Sequence, residues 1–319
     1  MASPHESAPL KLVFVGVHRE AAAPFADLLS GPYRPEALVT LPSDAAARVS
    51  GAVDLAASAR AAGVPVCLAR NVNDPECVAF IRAITPDVLL VVGWTQLVKR
   101  ELLAIPKLSL GFHASLLPKY RGRAPINWAL INGERETGNT LIVLAEGADA
   151  GDIVAQRTIP ITDQDDCATL YDKVAATEVD MLREVLPLID AGRMPRHKQD
   201  DAAATVMPKR RPEDGRIDWS RGAGDLYNWV RALTHPYPGA FTTLAGWRVF
   251  VWRAALPSPK ETAGSRAIPG TVAVAADGGA LVAAGDGWLR LLSVQRDGEP
   301  EIAAREAARS WLSDGKAFA

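Results

Sequence analysis

Cysteine is scarce in this chain, three in 319 residues: Cys67, Cys77 and Cys167. That count is too low and uneven for a disulfide framework, and no two of them stand at a zinc-ligand spacing. Long apolar runs are missing as well, with none near the ~18 residues of a membrane span. The opening stretch, Met1 to Leu10, lacks the basic-then-apolar order of a secretory leader. These absences lead us to expect a cytoplasmic protein, in a reducing compartment, with no membrane partner. A surplus of charge is also lacking, since 35 Lys and Arg face 37 Asp and Glu for a net −2. A basic nucleic-acid coat or an acidic solvating tail is therefore excluded as the main role. Two nucleotide signatures are absent too. The first strand leads into Gly16-Val17-His18-Arg19-Glu20 rather than G-x-G-x-x-G, and no G-x-x-x-x-G-K occurs.

What remains is ordinary globular usage, 48% hydrophobic and 23% charged. A chain of this length buries about three quarters of its unfolded surface. Leu10 to Gly16 reads as a buried strand and Ala21 to Leu29 as a helix. The alternation continues with strands at Ala37 to Leu41, Val64 to Leu68, Val88 to Val92 and Ser109 to Phe112, and helices at Asp54 to Ala62 and Pro75 to Ile84. Such a rhythm predicts a Rossmann-like α/β domain with a mostly parallel sheet covered on both faces. Thr140 to Leu144 adds a strand and Cys167 to Ala191 a long amphipathic helix. A basic stretch from Arg193 to Arg216 has no apolar period and reads as a linker. Short strands at 240–244, 248–252, 270–275, 280–284 and 288–294 then predict a small β-barrel. We expect two domains, 1–203 and 204–319, the second an OB-like barrel.

Ligands of an open α/β sheet sit beyond the carboxyl ends of its strands, so the loops there are the places to search. The richest segment is Gly111 to Asp152. His113 falls just after a strand and Asp149 in a glycine-bearing loop after another. Two neighbouring parallel strands would bring them together as an acid–base pair. A histidine at a strand end is more often structural, and acids with glycine are common in turns.

The run His113-Ala-Ser-Leu-Leu-Pro-Lys-Tyr-Arg-Gly-Arg-Ala-Pro, with Gly133-Glu134, Thr137-Gly138-Asn139-Thr140 and Asp149-Ala-Gly-Asp152, resembles the catalytic core of the folate-dependent formyltransferases. Pro236-Tyr-Pro-Gly-Ala-Phe241 and Arg210 to Trp219 extend the likeness to the carboxy-terminal barrel of the two-domain members. The resemblance implies transfer of a formyl group from N10-formyltetrahydrofolate, as co-substrate and without a metal, to a primary amine. Amine attack builds negative charge on the formyl oxygen and leaves a surplus proton, so donors and a proton relay are needed. In the family the counterpart of His113 serves the reacting centre and that of Asp149 holds the imidazole. Ser115, Leu116, Leu117 and Pro118 match the loop against the folate. Gly93, Trp94 and Thr95 occupy the place where the pterin enters, although Trp94 serves equally as a core aromatic.

One position departs from the pattern. The family has an asparagine two residues before the histidine, donating to the formyl oxygen, and this chain has Gly111. Losing such a donor typically costs ~10² to 10³ in rate. Asn139 is the candidate replacement because it interrupts an apolar strand where the family commonly has valine. Asn127 and Asn132 read as surface residues. Alternatively, the space left by Gly111 admits a different substrate or acyl donor, or the protein binds without efficient catalysis. Arg121 and Arg123 could clamp an anionic substrate in two-pronged fashion, or merely solvate their loop.

The leading expectation is an N-formyltransferase acting on a nucleotide-linked amino sugar or similar small amine. The alternative is formylation of methionyl-tRNA, for which the basic stretch after residue 193 would touch RNA and binding would weaken with salt. A noncatalytic folate or nucleotide module is a third reading. The barrel could be a dimer contact, an interaction surface or a lid.

Overall fold

The computed structural model describes residues 10–259, 261 and 267–319. Of the segment read for a leader, all but Leu10 lies outside the described residues. The chain divides into two compact units. The first comprises 1–125, 136–160 and 171–208, and the second 126–135, 161–170 and 209–319. Two short stretches from the first 203 residues therefore belong with the later part of the chain.

The first unit carries β1 (Leu12–Gly16), α1 (Ala22–Ser30), β2 (Ala37–Thr40), α2 (Ser43–Ala46), α3 (Leu55–Ala61), β3 (Val66–Leu68), α4 (Pro75–Ile84), β4 (Val88–Val92), α5 (Arg100–Leu103) and β5 (Leu108–His113). It continues with a two-residue strand β6 (Arg121–Gly122), β7 (Glu136–Val143), β8 (Ile153–Pro160), α7 (Cys167–Asp190) from Tyr171 on, and β9 (Val206–Met207), while helix α6 (Pro125–Ile131), from Ile126, and the start of α7 belong to the second unit. The main sheet runs β3-β2-β1-β4-β5-β7-β8. Its first five strands are parallel, as buried β-branched runs joined by helices require.

The last two strands correct the expected geometry, because β7 runs antiparallel to β5 and β8 antiparallel to β7. No pair of parallel neighbours joins His113 to Asp149; the loop of residues 144–152 folds back to do so. Side chains alternate between the sheet's faces. Leu12, Phe14, Leu90, Leu110, Phe112 and Leu141 pack toward Leu182, Val185 and Leu186 of α7. Val13, Val15, Leu89 and Val91 pack toward Val78, Ile81 and Leu102 of α4 and α5.

The second unit holds α8 (Ala223–Leu233), β10 (Ala240–Leu244), β11 (Trp247–Ala255), β12 (Val272–Val274), β13 (Ala280–Ala283), β14 (Trp288–Arg296), β15 (Ile302–Ala303) and α9 (Ala304–Ser310). Its antiparallel sheet has the order β10-β11-β14-β13-β12, with β15 on β14. Residues 316–319 bridge the two outer strands. Ala319 N–H donates to Thr243 O at 2.9 Å, and Phe318 N–H donates to Gly270 O at 2.9 Å. Val249, Val251, Val282, Leu289 and Val294 fill the interior. Among the described residues no helix is long and apolar enough to cross a membrane.

Candidate active site

His113 is the last residue of β5 and is 8% exposed. Its Nε2 stands 2.7 Å from the carbonyl of Tyr120, to which an N–H there donates. Nδ1 faces Asp149 Oδ1 at 3.4 Å, an ion pair whenever the ring carries both protons. The other Asp149 oxygen accepts from Gly122 N–H at 2.9 Å. Asp149 has φ +54, a left-handed backbone that its short polar side chain tolerates. Gly151 lets the loop close, since a Cβ there would lie 1.6 Å from Val143 O.

A second layer fixes that loop. Gln199 Nε2 donates to the carbonyls of Asp149 and Gly151, both at 2.7 Å. Gln199 Oε1 in turn accepts from Arg121 Nε and Nη2 at 3.1 and 2.7 Å, and Arg121 pairs with Asp201 at 2.7 Å. Arg121, expected as an anion clamp, is thus spent inside the protein, with a side chain only 11% exposed. Arg123 is exposed. No sequence signal marked Gln199, which lies in the stretch read as a linker.

The turn after His113 is clamped in the same way. Ser115 Oγ donates to Lys119 O at 2.7 Å, and Thr140 Oγ1 donates to Ser115 O at 2.6 Å. Gln156 Nε2 donates to Leu117 O at 2.9 Å. Leu116 packs where Gly138 has no side chain, a Cβ there being 2.3 Å from Leu116 Cδ2. Leu117 is buried and Pro118 half-buried. On the neighbouring strand, Gly93 takes φ +58 and its carbonyl accepts from His18 N–H at 3.3 Å. Trp94 packs against the α4-facing core, and its indole N–H is buried without an acceptor among the described residues. Thr95 is exposed.

Asn139 is not brought to this group. His113 pairs across the strands with Thr140, so the side chain one residue earlier points through the opposite face of the sheet. Its amide donates to Thr177 Oγ1 at 3.2 Å and Val174 O at 3.4 Å on α7. The expected replacement for the family asparagine is therefore misplaced. Gly111 shares His113's face, and the space beside it is taken by Leu144, whose Cδ2 would lie 2.6 Å from a Cβ there. Asn127 is also not a surface residue: it is 1% exposed and its amide donates to Ala232 O at 2.6 Å. Among the described residues no group of three or more His, Cys, Asp or Glu could hold a metal ion.

Comparison with known proteins follows the two halves of the chain. A model described as "Formyl transferase" matches residues 38–186, and one described as "Formyl transferase, C-terminal domain" matches 209–311. Methionyl-tRNA formyltransferase of Geobacter sulfurreducens is 35% identical over 302 residues, covering 94% of this chain and 93% of that protein. An N-formyltransferase from Helicobacter canadensis, solved with folinic acid and dTDP-3-aminofucose, superposes with a TM-score of 0.66 at 18% identity, over 90% of this chain and 99% of that one. HypX from Aquifex aeolicus, solved with tetrahydrofolic acid, gives 0.67 at 18% identity over 98% of this chain, which spans about half (51%) of HypX.

Proposed function

The chain belongs to the formyltransferase family, and from that premise we propose that it moves a formyl group from N10-formyltetrahydrofolate to a primary amine, with methionyl-tRNA as the lead acceptor. The observation that carries the chemistry is the His113–Asp149 pair at 3.4 Å, fixed from both sides by backbone. An amine that attacks must shed a proton. His113 is the base positioned to receive it, with Asp149 Oδ1 standing beside its Nδ1.

Bound folate would supply the one-carbon unit. The loop fits such a ligand, because the buried Trp94 N–H lacks an acceptor and the edge of a pterin offers one. Gly93, Trp94, Thr95 and the Ser115–Pro118 turn would hold it. No asparagine stands at position 111, and Asn139, bound to α7, is not in reach to replace it.

The expected acceptor shifts from an amino sugar to methionyl-tRNA on the strength of the relative that matches nearly the whole chain. The amino sugar remains a second reading for one reason. The loop after β1 is Gly16-Val17-His18-Arg19-Glu20, not the Gly-Thr-Pro-Asp-Phe opening expected of the tRNA enzyme.

The test is to incubate the protein with N10-formyltetrahydrofolate and either methionyl-tRNA or amino-sugar nucleotides, following folate absorbance. Turnover on methionyl-tRNA is expected; turnover on the sugar alone selects the second reading, and none on either removes both. Asp149→Asn should lower turnover by ~10² to 10⁴ while folate binding is retained.

A further inference from the structure

Two oddities of the sequence, the His18-Arg19-Glu20 loop and Asn139 within an apolar strand, come together at one place. His18 is 7% exposed and lies against the ring of Tyr171 on α7, centroids 4.6 Å apart. Its Nδ1 faces Glu20 Oε2 at 3.8 Å. Both residues rest on Gly93, where a Cβ would lie 2.7 Å from His18 Cβ and 3.1 Å from Glu20 Oε1. On the other side Glu178 of α7 is 1% exposed, with Asn139 and the charge of Glu20 in its electrostatic surroundings.

This cluster has too many acceptors. His18 Nδ1, Glu178 Oε2 and Asn139 Oδ1 are all buried with no hydrogen-bond partner among the described residues. Arg19 does not neutralise it, being paired with Asp172 at 2.6 Å. Burial lowers the His18 pKa to about 4, so the ring is neutral and brings no charge. Two ionised carboxylates cannot share such a site cheaply.

We propose that Glu20 and Glu178 are positioning residues, and that a proton held on this buried carboxylate pair beside His18 and Asn139 keeps the Gly93–Trp94–Thr95 loop closed. Burial raises Glu178 well above the usual carboxylate range and Glu20 to about 7. The pair titrates as a unit. When the proton leaves, charge must reach water. Glu178 sits within α7 and is 1% exposed, whereas Glu20 stands in the short 3-10 turn 19–21 that leads into α1 and its side chain is 16% exposed, so Glu20 has the path to water and Gly93 loses its support when it takes it. The closed form binds the extra proton, so closure is complete below the ordinary carboxylate range and is lost as pH rises through about 7. The consequence for folate binding rests on the reading of this loop as its seat.

Hydrogen exchange over residues 90–97 in the full chain without folate, corrected for the intrinsic pH effect, tests the idea from pH 5 to 9. Protection should fall by up to about tenfold per pH unit between about 5 and 7 and level off above that. Glu20→Gln should flatten that dependence. Glu178→Gln, which gives the cluster a permanent donor, should do the same and serves if the first variant does not fold. Exchange independent of pH in the unmodified protein, or an unchanged profile in a folded variant, overturns the proposal. The dissociation constant of 5-formyltetrahydrofolate, measured in parallel, should follow the exchange curve. The expected exchange profile with no folate binding at any pH would uphold the proton clamp and remove the folate-seat reading instead.

Discussion

Gly111 decides how the active-site strand is packed. Its missing side chain is compensated by Leu144, whose methyl group fills the space that an asparagine would enter. Gly111→Asn should therefore not restore a donor by itself. It should cost ~1 to 3 kcal/mol through overpacking, read as a lower midpoint in denaturant, and Leu144→Ala in the same chain should recover part of that loss. The proposed pair itself was legible in sequence, because a histidine ending a strand and an Asp-x-Gly-Asp loop are local patterns. Asn139 misled for an equally local reason. A polar residue in an apolar strand signals burial beside something polar, but only the register tells which face it takes, and here that face belongs to α7. Gln199 was invisible, since a lone glutamine in a basic stretch carries no pattern until the fold sets it 2.7 Å from two carbonyls.

The element most exposed to a single change is the loop between β7 and β8. Gly151 lies so close to Val143 O that any side chain must push backbone aside, breaking the Val143 N–H to Asp152 O bond of 2.9 Å that starts the β7–β8 pairing. Gly151→Ala should cost about 3 kcal/mol and lower activity with it, measured by thermal unfolding and turnover on the same preparation. A loss of stability with full activity would mean that the loop tolerates a new path. The parallel strands were readable because burial on both faces makes them continuous apolar runs. Strand β8 was not, as it lies at the end of the sheet with Gln156, Arg157 and Thr158 in its middle. With β8 unseen, the antiparallel turn of the sheet was missed as well.

At the level of the whole molecule, the division into a mostly parallel unit and a small antiparallel one was readable from the change in strand spacing. The membership of each unit was not, because packing rather than order along the chain decides it. The second unit includes 126–135 and 161–170, far from 209–319 in sequence. Within it Arg231 donates to the carbonyls of Thr162 and Asp165 at 2.8 and 2.9 Å, and Asn127 donates to Ala232 O. A fragment of residues 209–319 should accordingly fail to fold, giving no cooperative thermal transition; a sharp one would show that these stretches are dispensable. The same arrangement imposes a schedule on synthesis. Helix α6, whose Ile126, Ala129 and Leu130 are buried in the folded chain, leaves the ribosome some eighty residues before the segment 209–319 of its own unit. Until that segment follows, its apolar side waits without a mate, and a chaperone has its opening to act.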